Sequence, residues 1–380
     1  MSHHDEFQPM GGRVLTRPFV AAAVIFILAA VLIVKRLFVG LGPVSGMNDG
    51  FSLGIWIAYD VVVGTAIGCG GYAMALLVYA FNRGQYHPLV RSALLTGAFG
   101  YTLAGTSVMI DLGRYWNVYN FFLPWRMNFN SALFEVAMCV MAYTAVLWVE
   151  FSPAVIEKFK PAWAAFVNKW MFVFIAIGML LPTMHQSSLG SLMIITGHKL
   201  SPLWQTTWLP AFFLITCIAM GFAMVVFESL WSSVGFGRPL ETPMLAKIAG
   251  IIPWLLGGYL VGRFVELAYR GALGRAFQAN LCGIMFWIET ILYIIPVVLL
   301  APAKRRSDPR ALFLSALSAL FAGSIYRFNV YLIGLFPGFG WTYFPSTTEL
   351  LITFGMISIE IMGYLFIVKK LSVLPKPEHA

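Results

Sequence analysis

The stretch PFVAAAVIFILAAVLIVKRLF, from Pro18 to Phe38, decides the fold class, because it contains no charged side chain before Lys35. An α-helix rises about 1.5 Å per residue, so roughly 20 apolar residues cross the hydrocarbon core of a bilayer. The run is therefore long enough to span a membrane. An acidic, histidine-bearing stretch precedes it where a signal peptide has a basic one, so we expect this segment to be retained.

The rest of the chain is equally apolar. Of its 380 residues, 59% are apolar and 11% are charged, whereas about a quarter are charged in a soluble domain. The apolar excess must face lipid, and long unbroken runs favour helices over a β-barrel. We predict an all-α integral membrane protein with ten spans near 18–38, 54–81, 91–112, 130–151, 168–184, 210–231, 248–270, 281–303, 311–333 and 349–369.

The basic residues predict the orientation. The two tails and the even-numbered connections hold 16 of them: Arg13, Arg17, Arg83, Arg91, Lys158, Lys160, Lys169, Arg238, Lys247, Lys304, Arg305, Arg306, Arg310, Lys369, Lys370 and Lys376. The odd-numbered connections hold seven: Lys35, Arg36, Arg114, Arg126, Lys199, Arg270 and Arg275. The positive-inside rule then puts both termini in the cytoplasm of a multi-pass protein of the bacterial inner membrane. This distribution argues against nucleic-acid binding as the reason for the net charge of +9.

Two connections on the opposite, periplasmic side are rich in aromatic residues. They are GRYWNVYNFFLPWRMN (113–128) and GLFPGFGWTYFPSTT (334–348). Such residues form either an ordinary interfacial belt or a docking surface for a partner protein. No connection is long enough to be a soluble domain, so we expect the chain to act as one subunit of a larger assembly.

Ionisable side chains inside a membrane are costly and often functional. Helical rise places one group of polar and aromatic residues in a layer near the periplasmic face, with Tyr101 leading deeper: Trp56, Asp60, Tyr101, Asp111, Arg114, Glu135 and His185. They predict a pocket that opens towards the outer leaflet. Two simpler readings stay open: Asp111 and Arg114 form an ion pair at the helix ends, and His185 bonds to loop carbonyls.

The second half has a separate set. Glu228 lies near the cytoplasmic end of the sixth span without a partner in its own helix. It is therefore a better candidate for proton exchange than Glu266, which has Arg263 nearby on its own helix. Arg263 and Glu266 share a helix face and are expected to neutralise each other. Glu289 and Glu360 lie near mid-membrane, and either could pair across helices with Arg263 or Arg327.

Neither metal nor haem is expected. The four cysteines (Cys69, Cys139, Cys217, Cys282) lie in different apolar runs without a CxxC pair, so they predict packing residues and no iron–sulfur or zinc site. A b-type haem in a helix bundle usually takes two facing histidines. Of His3, His4, His87, His185, His198 and His379, only His185 is expected inside the membrane.

Several segments along the whole chain resemble a known family. They are FNRGQYHPLVRSALL (81–95), DLGRYWN (111–117), LPTMHQSSLGSLM (181–193), MFWIE (285–289) and LFLSALSAL (312–320). They are similar to the HybB-type membrane subunits of periplasmic uptake nickel–iron hydrogenases, within the NrfD/polysulfide-reductase-like family. The histidine-bearing run and the RGQYHPLVR loop are the most specific of these.

The resemblance implies a role in electron transfer. The hydrogenase large and small subunits would split hydrogen, and electrons would pass through a ferredoxin-like iron–sulfur subunit to a quinone, menaquinone in particular, in this chain. It implies one membrane domain over 1–380, with a first span (18–38), a quinone-site four-helix bundle (54–184), a second bundle (210–333) and a last span (349–369). Proton transfer would fall on Tyr101, Glu135, His185 and Glu228.

The chemistry agrees with this role, because quinone reduction takes two electrons and two protons. We expect His185 and Asp60 to bond the two quinone carbonyls, with Trp56 packing on the ring and Asp111 and Arg114 completing the pocket. Glu135 and Tyr101 would resupply protons, and Glu228 would extend the route towards the cytoplasm. Two other functions are possible: a secondary transporter whose buried acids couple solute to protons, and a passive anchor whose polar groups serve packing.

Overall fold

The computed structural model describes residues 7–159 and 163–375. Lys160 and Lys376, which entered the charge count, and His3, His4 and His379, which entered the histidine count, lie outside the described residues. The predicted all-α membrane fold is confirmed, because ten described helices are long and apolar enough to cross a bilayer. We number them α1 (Arg17–Val39), α2 (Trp56–Ala80), α3 (Val90–Asp111), α4 (Ala132–Phe159), α5 (Ala164–Ile194), α6 (Leu209–Phe236), α7 (Thr242–Tyr269), α8 (Leu281–Leu300), α9 (Pro309–Ile333) and α10 (Thr347–Lys370).

The helices form two four-membered bundles. In the first, α2 packs on α3 and α5, and α4 packs on α3 and α5. In the second, α6 to α9 close a similar ring, with α9 returning to α6. The bundles meet where α6 packs on α2 and α5. Helices α1 and α10 pack on each other beside the first bundle, where α10 contacts α2 and α3.

Glycine allows the bundles to approach closely. A Cβ atom on Gly221 of α6 would come within 2.6 Å of the Cys69 carbonyl oxygen of α2. Helix α2 is irregular here: it is π-helical over Trp56–Val63 and Leu76–Ala80 and turns at Gly68 and Cys69. The contact between the bundles is therefore one of backbone against backbone, which small residues permit inside membranes.

Both ends of the described chain lie on the same side of the helices. Strand β1 (Phe7–Gln8) pairs antiparallel with β2 (Leu374–Pro375), and Lys369 donates a hydrogen bond to the Arg13 carbonyl at 2.6 Å. This agrees with an even number of spans.

The fifth helix is longer than the predicted span 168–184, because α5 continues through Pro182 to Ile194. The run 183–191 is polar, yet three of its four hydroxyl groups donate hydrogen bonds within the helix. Thr183 donates to the Met179 carbonyl at 2.8 Å, Ser187 to the Thr183 carbonyl at 2.8 Å, and Ser191 to the Ser187 carbonyl at 3.2 Å. His185 therefore lies inside the helix and is fully buried, so the reading of it as a span-closing residue bonded to loop carbonyls is wrong.

Candidate functional site

A cavity of about 920 Å³ lies between α1, α2, α3, α6 and α10. Its walls are mostly apolar, and its lining includes three carboxyl side chains from three helices: Asp60 of α2, Glu228 of α6 and Glu360 of α10. Tyr59, Thr96, Ser232 and Tyr364 add hydroxyl groups. An apolar cavity with a few polar groups is typical of a site for a small organic molecule.

Asp60 forms one polar wall of the cavity. Its side chain is 6% exposed, and Ser107 of α3 donates a hydrogen bond to Asp60 Oδ2 at 2.8 Å. The preceding residue, Tyr59, stacks on Phe328 with ring centroids 6.1 Å apart. Asp60 has no ion pair with a cation among the described residues. It is therefore placed to exchange a proton with a molecule in the cavity.

Glu228 lies nearer the end of the cavity that faces the chain termini. It is 7% exposed and accepts a hydrogen bond from the Tyr364 hydroxyl of α10. The sequence placed Glu228 correctly by depth. Its partner on α10 is separated from it by 136 residues, so no local pattern could predict this contact.

His185 is held by a short chain of hydrogen bonds at the junction of the two bundles. Thr65 Oγ1 of α2 lies 3.1 Å from His185 Nε2. The Thr65 hydroxyl donates its only hydrogen to the Val61 carbonyl at 2.5 Å, and it accepts one from Gln186 Nε2 at 3.0 Å. Thr65 can therefore only accept from the histidine, which assigns the proton to Nε2. Nδ1 is then an acceptor, and among residues 7–159 and 163–375 it has no partner.

The same chain of hydrogen bonds reaches Arg327, a buried cation for which the sequence suggested a pair with Glu289 or Glu360. Gln186 Oε1 accepts from Arg327 of α9 at 3.4 Å. The guanidinium also donates to the Phe213 carbonyl at 3.3 Å and the Gly323 carbonyl at 3.2 Å. Arg327 is fully buried, and within the described part of the chain no carboxylate pairs with it. Four polar side chains thus connect the first bundle to the second.

Tyr101 lies on the other side of His185. Its ring meets the imidazole edge to face at a centroid distance of 5.7 Å and the Tyr143 ring at 4.5 Å. Its hydroxyl is 3.4 Å from Cys69 Sγ. Tyr101 is fully buried and does not line the cavity.

Glu135 is separate from both groups. It lies in the first turn of α4, and Ser188 of α5 donates a hydrogen bond to Glu135 Oε1 at 2.7 Å. Glu135 contacts α5 through Ser188, whereas His185, which belongs to α5, contacts Thr65 of α2. Neither residue lines the cavity.

Trp56 and Asp111 belong to a cluster at the ends of the helices that lie opposite the chain termini. Trp56 is fully buried, and its indole nitrogen donates to the Glu349 carbonyl at 3.3 Å. Asp111 interacts electrostatically with Arg36 and Glu349. Arg36 was expected in a connection, yet it is fully buried and stacks on the Tyr115 ring at 5.5 Å.

Glu349 organises this cluster. It accepts hydrogen bonds from the backbone nitrogens of Gly46 and Ser346, both at 2.7 Å, and from the Tyr343 hydroxyl at 2.8 Å. Burial and the neighbouring Glu349 hold the pKa of Tyr343 well above its ordinary value, so the phenol stays a donor. Arg114 is exposed in the connection after α3, and the expected pairing of Asp111 with Arg114 is replaced by the interaction with Arg36.

The predicted outer-layer residues thus lie in several places. Of Trp56, Asp60, Asp111, Arg114 and His185, Asp60 alone lines the cavity, where it is joined by Glu228 and Glu360. Helical rise put His185 at the end of its span, whereas α5 continues beyond it to Ile194. Helical rise also could not give the rotation of each helix, which decides the interface that a side chain faces.

In the second bundle one of the expected charge pairs forms and another does not. Arg263 contacts Glu289 at 3.7 Å, and Glu266 pairs with Arg270 one turn further on. Arg263 faces the bundle core while Glu266 faces its edge, so the expected Arg263–Glu266 pair does not form. Glu289 also accepts hydrogen bonds from Trp204 at 2.9 Å, Asn329 at 2.7 Å and Tyr259 at 3.2 Å, as a fully buried carboxylate requires.

The chain matches a family profile and several known proteins. The profile described as "Polysulphide reductase, NrfD" matches residues 43–337. The "Probable Ni/Fe-hydrogenase 2 b-type cytochrome subunit" of Escherichia coli is 47% identical, over 99% of this chain and 96% of that protein. A protein of Nitratidesulfovibrio vulgaris is 30% identical, over 93% and 94%. The same organism's "Menaquinone reductase, integral membrane subunit" is 26% identical, over 88% and 84%.

The Escherichia coli relative's name contradicts the expectation that the chain binds no haem, because it describes a b-type cytochrome subunit. The expectation rested on a count of histidines, and that count was too narrow a test. Haem iron also accepts methionine, cysteine or tyrosine as an axial ligand. The cavity lining contains methionine and tyrosine but neither histidine nor cysteine, and His185 is closed in by its neighbours. Neither the cavity nor the surroundings of His185 therefore fits a haem.

The family assignment follows from the profile match and from the length over which the relatives align with this chain. The profile covers more than half of the chain, and two relatives are at least 30% identical over nearly its whole length. The ten apolar helices agree with them. The chain is a multi-pass membrane protein of the NrfD polysulphide reductase family.

Proposed function

We propose that the chain is the membrane anchor and quinone-reactive subunit of a periplasm-facing nickel–iron hydrogenase. In this proposal the hydrogenase large and small subunits oxidise hydrogen, and a ferredoxin-like iron–sulfur subunit delivers the electrons. This chain binds a quinone of the menaquinone class and supplies its protons. The names of two relatives, a hydrogenase 2 subunit and a menaquinone reductase subunit, support it.

One observation carries the proposal: the apolar cavity has the Asp60 carboxyl group in its wall. A quinone is apolar, so it favours such a volume over water. On reduction to the quinol it takes up two electrons and two protons, and two O–H bonds form. A carboxyl group within hydrogen-bond reach can deliver a proton to a quinone oxygen. Asp60, fixed by Ser107, is our candidate for that donor.

The other predicted proton carriers keep proposed roles, Glu228 in the wall of the cavity and the rest away from it. Glu228 supplies protons from the side of the chain termini. His185, Tyr101 and Glu135 lie in the first bundle and exchange protons with its interior. Trp56, Asp111 and Arg114 shape the periplasmic end, where we propose that the iron–sulfur partner docks. The bacterial inner membrane, with both termini in the cytoplasm, is the location that fits this arrangement.

The test is hydrogen-dependent reduction of a menaquinone analogue by membranes that contain the assembled complex. We expect the Asp60→Asn variant to lose at least about tenfold of this activity, since general acid catalysis contributes about 10²- to 10⁴-fold. Hydrogen-dependent reduction of a viologen dye, which takes electrons before they reach this subunit, should stay at the parent rate and controls for assembly.

Two outcomes would contradict the proposal. A passive anchor predicts parent quinone activity and parent pH dependence in both Asp60→Asn and Glu135→Gln. A proton-coupled transporter predicts solute uptake by the chain alone in liposomes. Loss in Asp60→Asn with parent activity in Glu135→Gln would keep the quinone site and remove Glu135 from the proton route.

A further inference from the structure

A second, apolar groove of about 490 Å³ lies between the end of α6 and the start of α9. Leu230 and Val234 of α6 line it together with Phe313 and Leu314 of α9. Among the described residues that line it, Arg310 alone is charged. Leu230 and Val234 are four residues apart, so the groove extends over about 6 Å, or one turn, along α6.

The groove opens on a surface that faces lipid. Val234 is 77% exposed and Leu314 is 55% exposed, and both belong to helices that are long and apolar enough to cross a bilayer. Leu230 is buried and forms the floor. Apolar side chains exposed on a membrane-spanning helix contact lipid acyl chains, which are as apolar as leucine. An acyl chain is therefore the group that enters this groove.

Three stacked aromatic rings give one wall of the groove a fixed shape. Phe227 and Trp231 of α6 and Phe313 of α9 have ring centroids 5.5 to 6.3 Å apart and interplanar angles of 26° or less. Trp231 and Phe313 line the groove. Because each ring is held by its neighbours, an acyl chain gains dispersion contacts with them without ordering flexible side chains.

The groove lies on the side of the chain termini. Arg238, two residues after α6, donates a hydrogen bond to the Pro375 carbonyl of β2. Trp231 is largely exposed near this end of α6, as tryptophans at a membrane interface are. The groove is therefore at the depth where a lipid headgroup of that leaflet meets its acyl chains.

Three exposed cations surround the start of α9. Arg310 lines the groove, and Lys304 and Arg305 precede it in the turn Ala303–Ser307. Over residues 7–159 and 163–375, none of the three forms an ion pair with an acidic side chain. Asp308 is close in sequence, but it accepts from the backbone nitrogen of Arg310 at 3.0 Å and caps the helix. This end of the groove thus carries uncompensated positive charge.

We propose that the groove binds a phospholipid with an anionic headgroup, such as phosphatidylglycerol. One acyl chain packs on Trp231 and Leu314, and the phosphate lies at Arg310, whose planar set of N–H groups matches phosphate oxygens. Charge complementarity selects the headgroup, because a zwitterionic lipid brings an ammonium group towards three cations and an anionic lipid does not. The inference is independent of the proposed quinone chemistry, since Asp60 does not line this groove.

The experiment measures lipid binding to the full chain, purified in detergent and stripped of lipid, by native mass spectrometry. Dioleoyl phosphatidylglycerol is compared with dioleoyl phosphatidylethanolamine, which has the same acyl chains. We expect the parent to bind its tightest phosphatidylglycerol at least about tenfold more strongly than the ethanolamine lipid, since several basic side chains act together. Arg310→Gln should lower the phosphatidylglycerol affinity about fivefold, the share of one basic side chain, and leave the other lipid unchanged.

Two further variants locate the effect. Arg275→Gln is the matched control, because Arg275 is an exposed cation in the connection between α7 and α8, away from the groove. It should bind both lipids as the parent does. Leu314→Trp puts a larger side chain into the groove and should weaken binding of both lipids. An unfolding temperature in lipid-free detergent equal to that of the parent shows that a variant has folded.

Three results would overturn the inference. The first is equal affinity of the parent for the two lipids, which would mean that the groove does not select an anionic headgroup. The second is a phosphatidylglycerol affinity that Arg310→Gln leaves unchanged, or that Arg275→Gln lowers equally. The third is parent binding of phosphatidylglycerol in a folded Leu314→Trp variant, which would mean that the lipid binds elsewhere.

Discussion

The hydroxyl of Thr65 on α2 and the imidazole of His185 on α5 form a hydrogen bond, with Thr65 Oγ1 and His185 Nε2 3.1 Å apart. Since Thr65 already donates to Val61, this bond fixes the histidine as the Nε2–H tautomer. The opposite nitrogen keeps its lone pair in a fully buried environment. Thr65 is therefore a positioning residue for His185.

Replacing Thr65 by valine keeps its shape but removes the acceptor. We expect Thr65→Val to leave the Nε2–H group unpaired, at a cost of about 1–3 kcal/mol in stability, and to release the tautomer. Thr65→Ser should preserve both. The ¹⁵N shifts of labelled histidine in the purified protein measure this directly. A parent protein in which His185 carries its proton on Nδ1 would contradict the assignment.

The buried pair of Arg263 and Glu289 offers a test of stability. Removing one partner of such a pair costs about 3–5 kcal/mol, because the remaining charge is left buried. We expect Arg263→Met and Glu289→Leu each to lower the thermal unfolding temperature strongly. The double variant should lose less than the sum of the two. Glu266→Gln, at a half-exposed pair, should cost about 1 kcal/mol or less. Equal losses in all the variants would argue against a buried charge pair.

The contact between the bundles predicts a sharp difference between two glycines. Gly221→Ala puts a Cβ atom 2.6 Å from a backbone oxygen, whereas a Cβ on Gly105 of α3 meets no atom within 4 Å. We expect Gly221→Ala to separate α6 from α2 and to destabilise the protein by about 1–3 kcal/mol. Gly105→Ala should be close to neutral. Unfolding of both variants in detergent gives the comparison, and similar stabilities would show that the helices do not approach so closely.

Glu349 caps α10 and ties the preceding connection to the residues around Gly46. Glutamine can replace glutamate in a capping box, but alanine cannot. We expect Glu349→Ala to cost about 0.5–2 kcal/mol from the lost cap alone, with faster hydrogen exchange at the Gly46 and Ser346 amides. Glu349→Gln should stay near the parent. Slow exchange at both amides in the alanine variant would mean that Glu349 does not hold them.

The membrane spans were predictable from the sequence, and the rotation of each helix about its axis was not. The ten spans follow from length and composition, and Asp60, Glu228 and Glu360 were placed at useful depths by helical rise. Asp60, Glu135 and His185 were predicted to line one pocket. That prediction depends on the direction in which three helices point these side chains, which nothing local in the sequence specifies. The hydroxyl-rich run after Pro182 was predicted to end a span, because amino-acid composition does not show that its side chains form hydrogen bonds within the helix. Arg36 was placed in a connection, although Asp111 and Tyr115 bury it.

The most direct measurement is photo-crosslinking of the assembled complex with a menaquinone analogue that carries a diazirine on its ring. If a quinone binds beside Asp60, the label should map to α2 near Tyr59, to α3 near Leu103 and to α10 near Met356, which line the cavity together. Excess unlabelled menaquinone analogue should compete it away, and Asp60→Asn should weaken it. Two results would contradict a quinone site in this cavity. One is labelling that excess analogue reduces but that is confined to α7 and α8, and the other is labelling that excess analogue does not reduce.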